Sequence, residues 1–283
     1  MAQPLSYVPA TVQRSRGVTP RLLRLELEWD AGHALRRCGR SDEALVLCVP
    51  DAEGDLTVAP ERSRWYTVRA ADDGLRRLTV DVVQHGGGAV STWAAAARPG
   101  ARCAVSSTMG WYTPPATTTR QLLVGDLTAL PAMARIAAES AGRRSTRILA
   151  EVGDAADEAY LAGSPAEVTY LHNRHQASGS RLAEAVRALG TVDTTGGYVY
   201  AAGETAAMRA VRRHLRHVLG LPREGYGVIG YWTVDADRWR ALWDVHGDEL
   251  AALYADVDAP GADREAVLDR YDRRLDELSA DGG

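Results

Sequence analysis

The chain has 283 residues, 46% hydrophobic and 25% charged, with a formal net charge of −4. That composition fits one large or two ordinary globular domains, and its mild acidity gives no electrostatic footing for nucleic acid. All 33 basic residues are arginine, which excludes P-loop, Schiff-base and kinase chemistry because each needs a lysine amine.

No run of ~18 consecutive apolar residues is present, so no membrane span is expected. Residues 1–15 lack an apolar run bounded by a cleavage site. Cys38, Cys48 and Cys103 form no CxxC pair. Scattered and odd in number, they read as reduced thiols of a cytoplasmic protein.

The first third reads as strands. In RLLRLELEW, Leu23, Leu25, Leu27 and Trp29 alternate with Arg24, Glu26 and Glu28, the period of a half-buried strand. Strands follow at 44–49, 65–69 and 75–83, broken by EGD, ADDG and HGGG turns. A short helix over 91–97 stops at RPG, and a strand covers 102–106. Such closely spaced strands predict a small antiparallel Greek-key barrel over residues 1–112.

The stretch WYTPPATTTR (111–120) reads as a linker. Beyond it strands and helices alternate over 120–235: QLLVGD, TALPAMARIAAESA, RILAEV, EVTYLHN, SRLAEAVRAL, GYVYAAG, TAAMRAVRRHLRHVLG and YGVIGYW. That rhythm predicts a parallel sheet with helices on both faces. Ligands of such sheets bind at the carboxyl ends of the strands, which places VGDLTA and AAGETA on the rim of a nucleotide site. Residues 236–283 are a helical extension of two amphipathic helices split by APG. Packing on the parent domain is expected of it, with a homodimer contact or a lid as the alternatives.

Two short stretches carry the chemistry. In RSRWYTVR, Arg64 and Tyr66 share a strand face. A guanidinium fork suits a pyrophosphate, a phenol ring lies flat on an aromatic cofactor, and Thr67 offers a hydroxyl to the ring's edge. In HGGGAVSTW, glycines let main-chain N–H groups approach an anion, and Ser91 is positioned to open the helix that follows. Each stretch alone also reads as ordinary structure, the first as an exposed strand and the second as a tight loop before a capped helix. One dinucleotide accounts for both.

These motifs resemble the siderophore-interacting proteins, FAD-dependent ferric-siderophore reductases of the ferredoxin-reductase-like superfamily. The resemblance rests on RWYTVR (64–69), DVVQHGGGAVSTWAAAARPG (81–100), LLVGDLTALPAMARI (122–136), VTYLHN (168–173), AAGETAAMRAVRRHL (201–215) and GYW (230–232). It implies that Arg64, Tyr66 and Thr67 bind FAD. His85, Gly86 and the main chain of Ala89, Val90 and Ser91 would hold its pyrophosphate and adenylate side. Asp126, Thr128, Ala129, Gly203 and Glu204 would line a site for NADPH or NADH, with Arg174 a candidate for a 2′-phosphate. Arg62 and Arg69 would attract an anionic ferric chelate. Hydride transfer to the flavin and two one-electron steps to iron would follow, with no side chain required as acid or base.

The sequence departs from the family pattern at two places. SSTMG (106–110) replaces a GPRG-like turn, and TVDAD (233–237) follows GYW where basic residues and glycine are usual. These departures leave two alternatives open: a flavin-binding biosynthetic enzyme acting on an organic intermediate by reduction or cyclisation, and a siderophore-binding protein without turnover. GYGVIG (225–230) matches a dinucleotide fingerprint in letters but falls within a strand. His214 and His217, flanked by Arg212, Arg213 and Arg216, read as a solvated helix face. No metal site is expected.

Overall fold

The computed structural model describes residues 5–175, 178–190, 197–234, 236–257, 259 and 261–281. Six antiparallel strands close a barrel in the order β1-β2-β5-β4-β3-β6. They are β1 (Tyr7–Thr19), β2 (Leu22–Trp29), β3 (Ala44–Cys48), β4 (Ser63–Asp72), β5 (Arg77–Val83) and β6 (Arg102–Ser106). Strands β3, β4 and β5 follow one another while β2 returns beside β5, the Greek-key order expected from the sequence. The alternation in β2 points Leu25, Leu27 and Trp29 inward, where they meet Val8, Ala10, Val12, Val68 and Val80. Helix α1 (Ala89–Ala96) plugs one end of the barrel with Val90 and Ala94.

Strand β1 is the element the pattern did not announce. Val8, Ala10 and Val12 are buried at period two, but Pro9, Ala10 and Gly17 are weak strand formers that blur the signal. Helix α1 begins two residues earlier than expected. Gly88, at φ 88, stands at its N-cap. Ser91 therefore lies within the first turn, and its hydroxyl is spent on the preceding loop.

The second half is a five-stranded parallel sheet in the order β11-β10-β7-β8-β9. Its strands are β7 (Arg120–Gly125), β8 (Ser145–Val152), β9 (Glu167–His172), β10 (Tyr198–Glu204) and β11 (Tyr226–Trp232). Helix α2 (Leu130–Ser140) covers one face, packing with Leu123, Ile148 and Tyr200. Helices α3 (Leu182–Ala188) and α4 (Thr205–Arg213) cover the other, against Leu122, Val124 and Val199. Neighbouring residues of β7 thus enter opposite cores, which is why these strands read as unbroken apolar runs.

A π-helical turn over His214–Val218 ends α4. Helices α5 (Ala236–Tyr254) and α6 (Arg264–Asp281) then form a hairpin, whose own apolar cluster is Leu250, Leu275 and Leu278 with Trp239, Leu242 and Tyr271. A belt of ion pairs fastens this hairpin to α4. Arg212, 6% exposed, meets Glu265 (2.9 Å), Asp269 (2.6 Å) and Asp272 (2.8 Å). The solvated face expected around His214 and His217 is therefore corrected in its flanking arginines, while His217 itself is exposed. Arg212 points into the dock, Arg216 and His217 reach Asp269 at 3.0 and 3.1 Å, and Arg213 reaches Asp276 at 2.8 Å. The acidic stripe on α6 that turns this basic face inward lies about fifty residues downstream, beyond the range of a helical pattern.

Among the described residues no helix is long and apolar enough to cross a membrane, and no group of His, Cys, Asp and Glu could hold a metal ion. The three cysteines are free thiols.

Candidate functional site

Strand β4 lies where the two halves meet. One of its neighbours in the barrel is β3, with Ala44 opposite Thr67 and Leu47 opposite Arg64. Arg64 is exposed, and its guanidinium rests on the Pro60 and Ser63 carbonyls at 2.8 and 2.7 Å. Tyr66 is half-buried against the barrel core, and burial pushes its phenol up to about 12. Thr67 is buried and near enough to Tyr231 of β11 to act on its phenol, whose hydroxyl meets that of Tyr200 at 2.8 Å. Strand β4 and the carboxyl end of the parallel sheet therefore lie side by side.

Helix α1 packs against β4 and against the 3-10 turn Pro60–Arg62 that leads into it. Its first turn has no side-chain cap, so the opening N–H groups of Ala89, Val90 and Ser91 are available to an anion. A Cβ at Gly86 or Gly87 would meet nothing within 4 Å, so open space adjoins this loop. The Ser91 hydroxyl links the His85 N–H (3.2 Å) to the Val83 and His85 carbonyls (3.3 Å each) and fixes the turn. Val90 turns its side chain into the core, so only its main chain faces outward. A guanidinium, an uncapped helix start with a glycine loop, and an aromatic ring on one strand suit the phosphates and ring of a flavin dinucleotide.

The second rim is tied together by one carboxylate. Asp126, 1% exposed, accepts from the Thr128 N–H (2.9 Å) and hydroxyl (2.6 Å), the Glu204 N–H (2.9 Å) and the Trp232 indole (2.7 Å). Burial pushes its carboxyl upward, against those donors. Its oxygens are spent on the ends of β7, β10 and β11, so Asp126 shapes the rim from beneath. Gly203 must be glycine, since its φ is 153 and a Cβ would stand 2.5 Å from Asp126 Oδ2. Ala129 caps α2 in helical conformation, and Glu204 caps α4 by accepting from the Ala207 N–H at 2.8 Å. Arg174 is exposed in the turn after β9.

Arg62 and Arg69 are placed differently from each other. The Arg62 guanidinium donates to the Asp55 and Thr57 carbonyls (3.2 and 2.9 Å) and pairs with Asp51 (3.1 Å), which fastens the 51–57 loop. Arg69 sits at a bulge in the β4–β5 pairing, near enough to Tyr160 to act on its phenol. Tyr160 in turn donates to Asp81, which Arg24 holds with two bonds of 2.7 Å.

The departures acquire a structural meaning. Segment 106–110 bridges to β3 through Met109 and Ala44, and Thr108 donates to Glu43 at 2.6 Å. Of 233–237, Asp235 lies outside the described residues, Thr233 bonds the Thr205 hydroxyl at 3.1 Å, and α5 starts at Ala236. Arg135 and Tyr231 lie within the quoted motifs but carry no local mark of their contacts, and Asp42 and Glu43 lie outside every motif. The pair Asp42–Glu43 precedes an apolar strand, as solvated turn acids do, and nothing local marks them as buried.

Comparison with known proteins agrees with this layout. Residues 11–110 match the family model described as a siderophore-interacting FAD-binding domain, and residues 118–235 match that of the siderophore-interacting protein. The mycobactin import ATP-binding/permease protein IrtA of Mycobacterium tuberculosis is 30% identical over 266 residues, which are 91% of this chain and 29% of that protein. The chain thus spans less than a third of that relative's length. A siderophore utilization protein from T. fusca superposes with a TM-score of 0.67 at 31% identity, covering 82% of this chain and 95% of that one. The ferredoxin reductase of carbazole 1,9a-dioxygenase shares the fold, with a TM-score of 0.64 at 19% identity over 82% and 71% of the two chains. With the FAD-binding barrel and the α/β half both present and in order, the chain belongs to the siderophore-interacting protein family.

Proposed function

We propose that the chain is an FAD-dependent reductase of ferric siderophores that draws its electrons from NADPH or NADH. The observation that carries this reading is the convergence on β4. Arg64, Tyr66 and Thr67 lie on one strand, flanked by the uncapped start of α1 and by the carboxyl end of β11. When bound, FAD would supply hydride acceptance and single-electron release to iron. The protein's part is to bind, orient and exclude water. Arg64 and the first turn of α1 would neutralise the pyrophosphate, Tyr66 would support the ring, and Thr67, beside Tyr231, would present its hydroxyl to the ring's edge. The rim from Asp126 to Ala129, with Gly203 and Glu204, would receive the nicotinamide nucleotide. Arg69 at the seam is a candidate for attracting an anionic chelate.

The test begins with the absorbance spectrum of the purified protein after incubation with FAD. Anaerobic NADPH or NADH should bleach the flavin, and a ferric chelate should restore it with ferrous ion appearing in a trap. Bleaching by neither nucleotide would sink the reductase reading. Arg64→Ala should weaken FAD binding about 10- to 100-fold, because a charge-assisted phosphate contact is worth ~1.5–3 kcal/mol. Full FAD occupancy in that variant would remove Arg64 from the site.

A further inference from the structure

The geometry points to Arg135 and Glu43 as a clamp that fixes the spacing between the flavin strand β4 and the rim at the start of α2. They act as positioning residues for electron transfer across the seam. This inference rests on the proposed seats of flavin along β4 and of nicotinamide at the rim.

Glu43 belongs to the barrel and is 0% exposed. Its carboxylate accepts from Arg37 (2.5 and 3.2 Å), from Thr108 (2.6 Å), from the Gly39 N–H (3.4 Å) and from Arg135 (3.3 Å). Its main-chain carbonyl accepts the Val68 N–H at 2.7 Å. Arg135 belongs to α2, on the other side of the seam. The same Nη1 that meets Glu43 donates to the Val68 carbonyl at 2.7 Å, and Nε pairs with Glu139 at 2.7 Å. Val68 is therefore gripped at its N–H by residue 43 and at its carbonyl by residue 135. It follows Thr67 directly and opens the bulge in β4.

Arg135 lies six residues past Ala129, about 9 Å along the helix at 1.5 Å per residue. Through one planar guanidinium the helix that starts at the rim is thus tied at two points to the barrel. One is the buried carboxylate, and the other is the backbone of the strand proposed to carry the flavin. Both seam contacts come from Nη1, while Nε is held by Glu139 of the same helix and fixes the plane of the group, an anchor that a flexible ammonium lacks. Sliding or rolling α2 against β4 would break both contacts and leave the buried Glu43 carboxylate to its barrel partners Arg37, Thr108 and Gly39 alone. A misplacement of about 1 Å between reacting partners costs on the order of 100-fold in rate, so a device that removes this freedom bears directly on transfer.

The experiment uses the full chain loaded with FAD and two variants, Arg135→Met and Arg135→Lys. Flavin bleaching is followed by anaerobic stopped flow at saturating NADPH and NADH. The expected result for Arg135→Met is a bleaching rate at least 10-fold lower, with FAD content and nucleotide affinity within about twofold of the parent. Arg135→Lys, which keeps the charge but loses the Nε anchor on Glu139, should fall between them. Hydrogen exchange of the peptide spanning 63–72, measured with and without FAD, should quicken in Arg135→Met and rise less in Arg135→Lys. Parental bleaching together with parental exchange overturns the clamp. So does a loss spread equally over FAD binding, nucleotide binding and thermal stability, which marks general loosening. Should Arg135→Met not fold, Arg135→Lys decides by the same measures. If the parent itself is not bleached, the reductase reading has failed, and the exchange of 63–72 alone decides whether the clamp exists.

Discussion

The seam between barrel and α/β half and the dock of the C-terminal hairpin are both closed by buried ions, but with opposite polarity. At the seam one carboxylate, Glu43, is surrounded by Arg37, Arg135 and Thr108. At the dock one guanidinium, Arg212, is surrounded by Glu265, Asp269 and Asp272. Burial works against the Glu43 charge, yet the Arg37 and Thr108 hydrogen bonds and the nearby Arg135 hold its carboxyl below the usual range. Around Arg212 three acids compete for one main cation. Asp269 stays low despite burial, because Arg212, Arg216 and His217 all reach it, while burial lifts Asp272 above its ordinary value. A saturated anion is a rigid joint. A cation crowded by acids is a joint that one substitution opens.

The largest expected effect follows from that difference. Arg212→Met leaves three partly or fully buried carboxylates facing one another, with Arg216, Arg223 and His217 at the edge. Removing one partner of a buried ion pair costs about 3–5 kcal/mol. Because the hairpin's apolar cluster contains only its own residues, the loss should appear as undocking of α5 and α6 more than as global unfolding. Limited proteolysis between β11 and α5, with hydrogen exchange across 264–281, checks it. FAD content should not change, and a coupled loss of FAD would show that the hairpin supports the flavin site.

The same contrast marks where the sequence was readable. The barrel and the sheet were legible because their signals are local: the alternation of Leu25, Leu27 and Trp29, and the apolar runs of β7 and β10 between helices of regular period. The resemblance supplied the order of the site motifs. The ion nodes were not legible, because each joins residues far apart in the chain. Glu43 meets Arg135 across 92 positions, and Arg212 meets Asp272 across 60. Pattern shows that Arg212 lies on a helix, but not that an acidic stripe covers it. Asp126 was legible as a rim residue by its place after β7, yet its burial beneath Gly203 and Trp232 needed the tertiary structure.

The second effect breaks the seam node chemically while keeping its shape. Glu43→Gln retains a carbonyl acceptor but loses the charge that Arg37 and Arg135 share. Arg37 keeps Asp73 at 2.9 Å, and Arg135 keeps Glu139, so the cost should be smaller, about 2–3 kcal/mol near neutral pH for charge-assisted bonds. Its pH dependence has a fixed sign. Glu43 has a lower value in the folded chain than in the unfolded one, so its contribution is complete above the unfolded carboxyl value of about 4.3. It is lost as pH falls through the lower native value. Denaturant melts of parent and variant should differ most near neutrality and converge in acid. A gap that widens in acid would mean that Glu43 is not the stabilising anion.

The smallest effect concerns the neighbouring residue and sharpens the comparison, because its sign reverses. Asp42 is also 0% exposed, but among the described residues it forms no ion pair, and Arg40 acts on it only as a neighbouring charge. Its Oδ2 accepts the Trp111 and Tyr112 N–H groups at 2.8 and 2.9 Å, while Oδ1 is buried without a partner. Burial therefore prevails over the two amides and raises its carboxyl. A raised native value means that Asp42 stabilises fully below the unfolded value, and that this contribution is lost as pH rises through the native one. Asp42→Asn keeps an acceptor for both amides and removes a buried charge, at the cost of an amide left where Oδ1 stood. The two changes nearly offset near neutrality, giving a difference within about 1 kcal/mol. Because the parent gains when Asp42 takes up its proton and the variant does not, the variant should lose ground to the parent as pH falls. Adjacent buried acids would then move oppositely in one acid titration, Glu43→Gln closing its deficit while Asp42→Asn opens one. Parallel movement would show that what surrounds each carboxylate, a pair of guanidinia or two amides, does not set its charge.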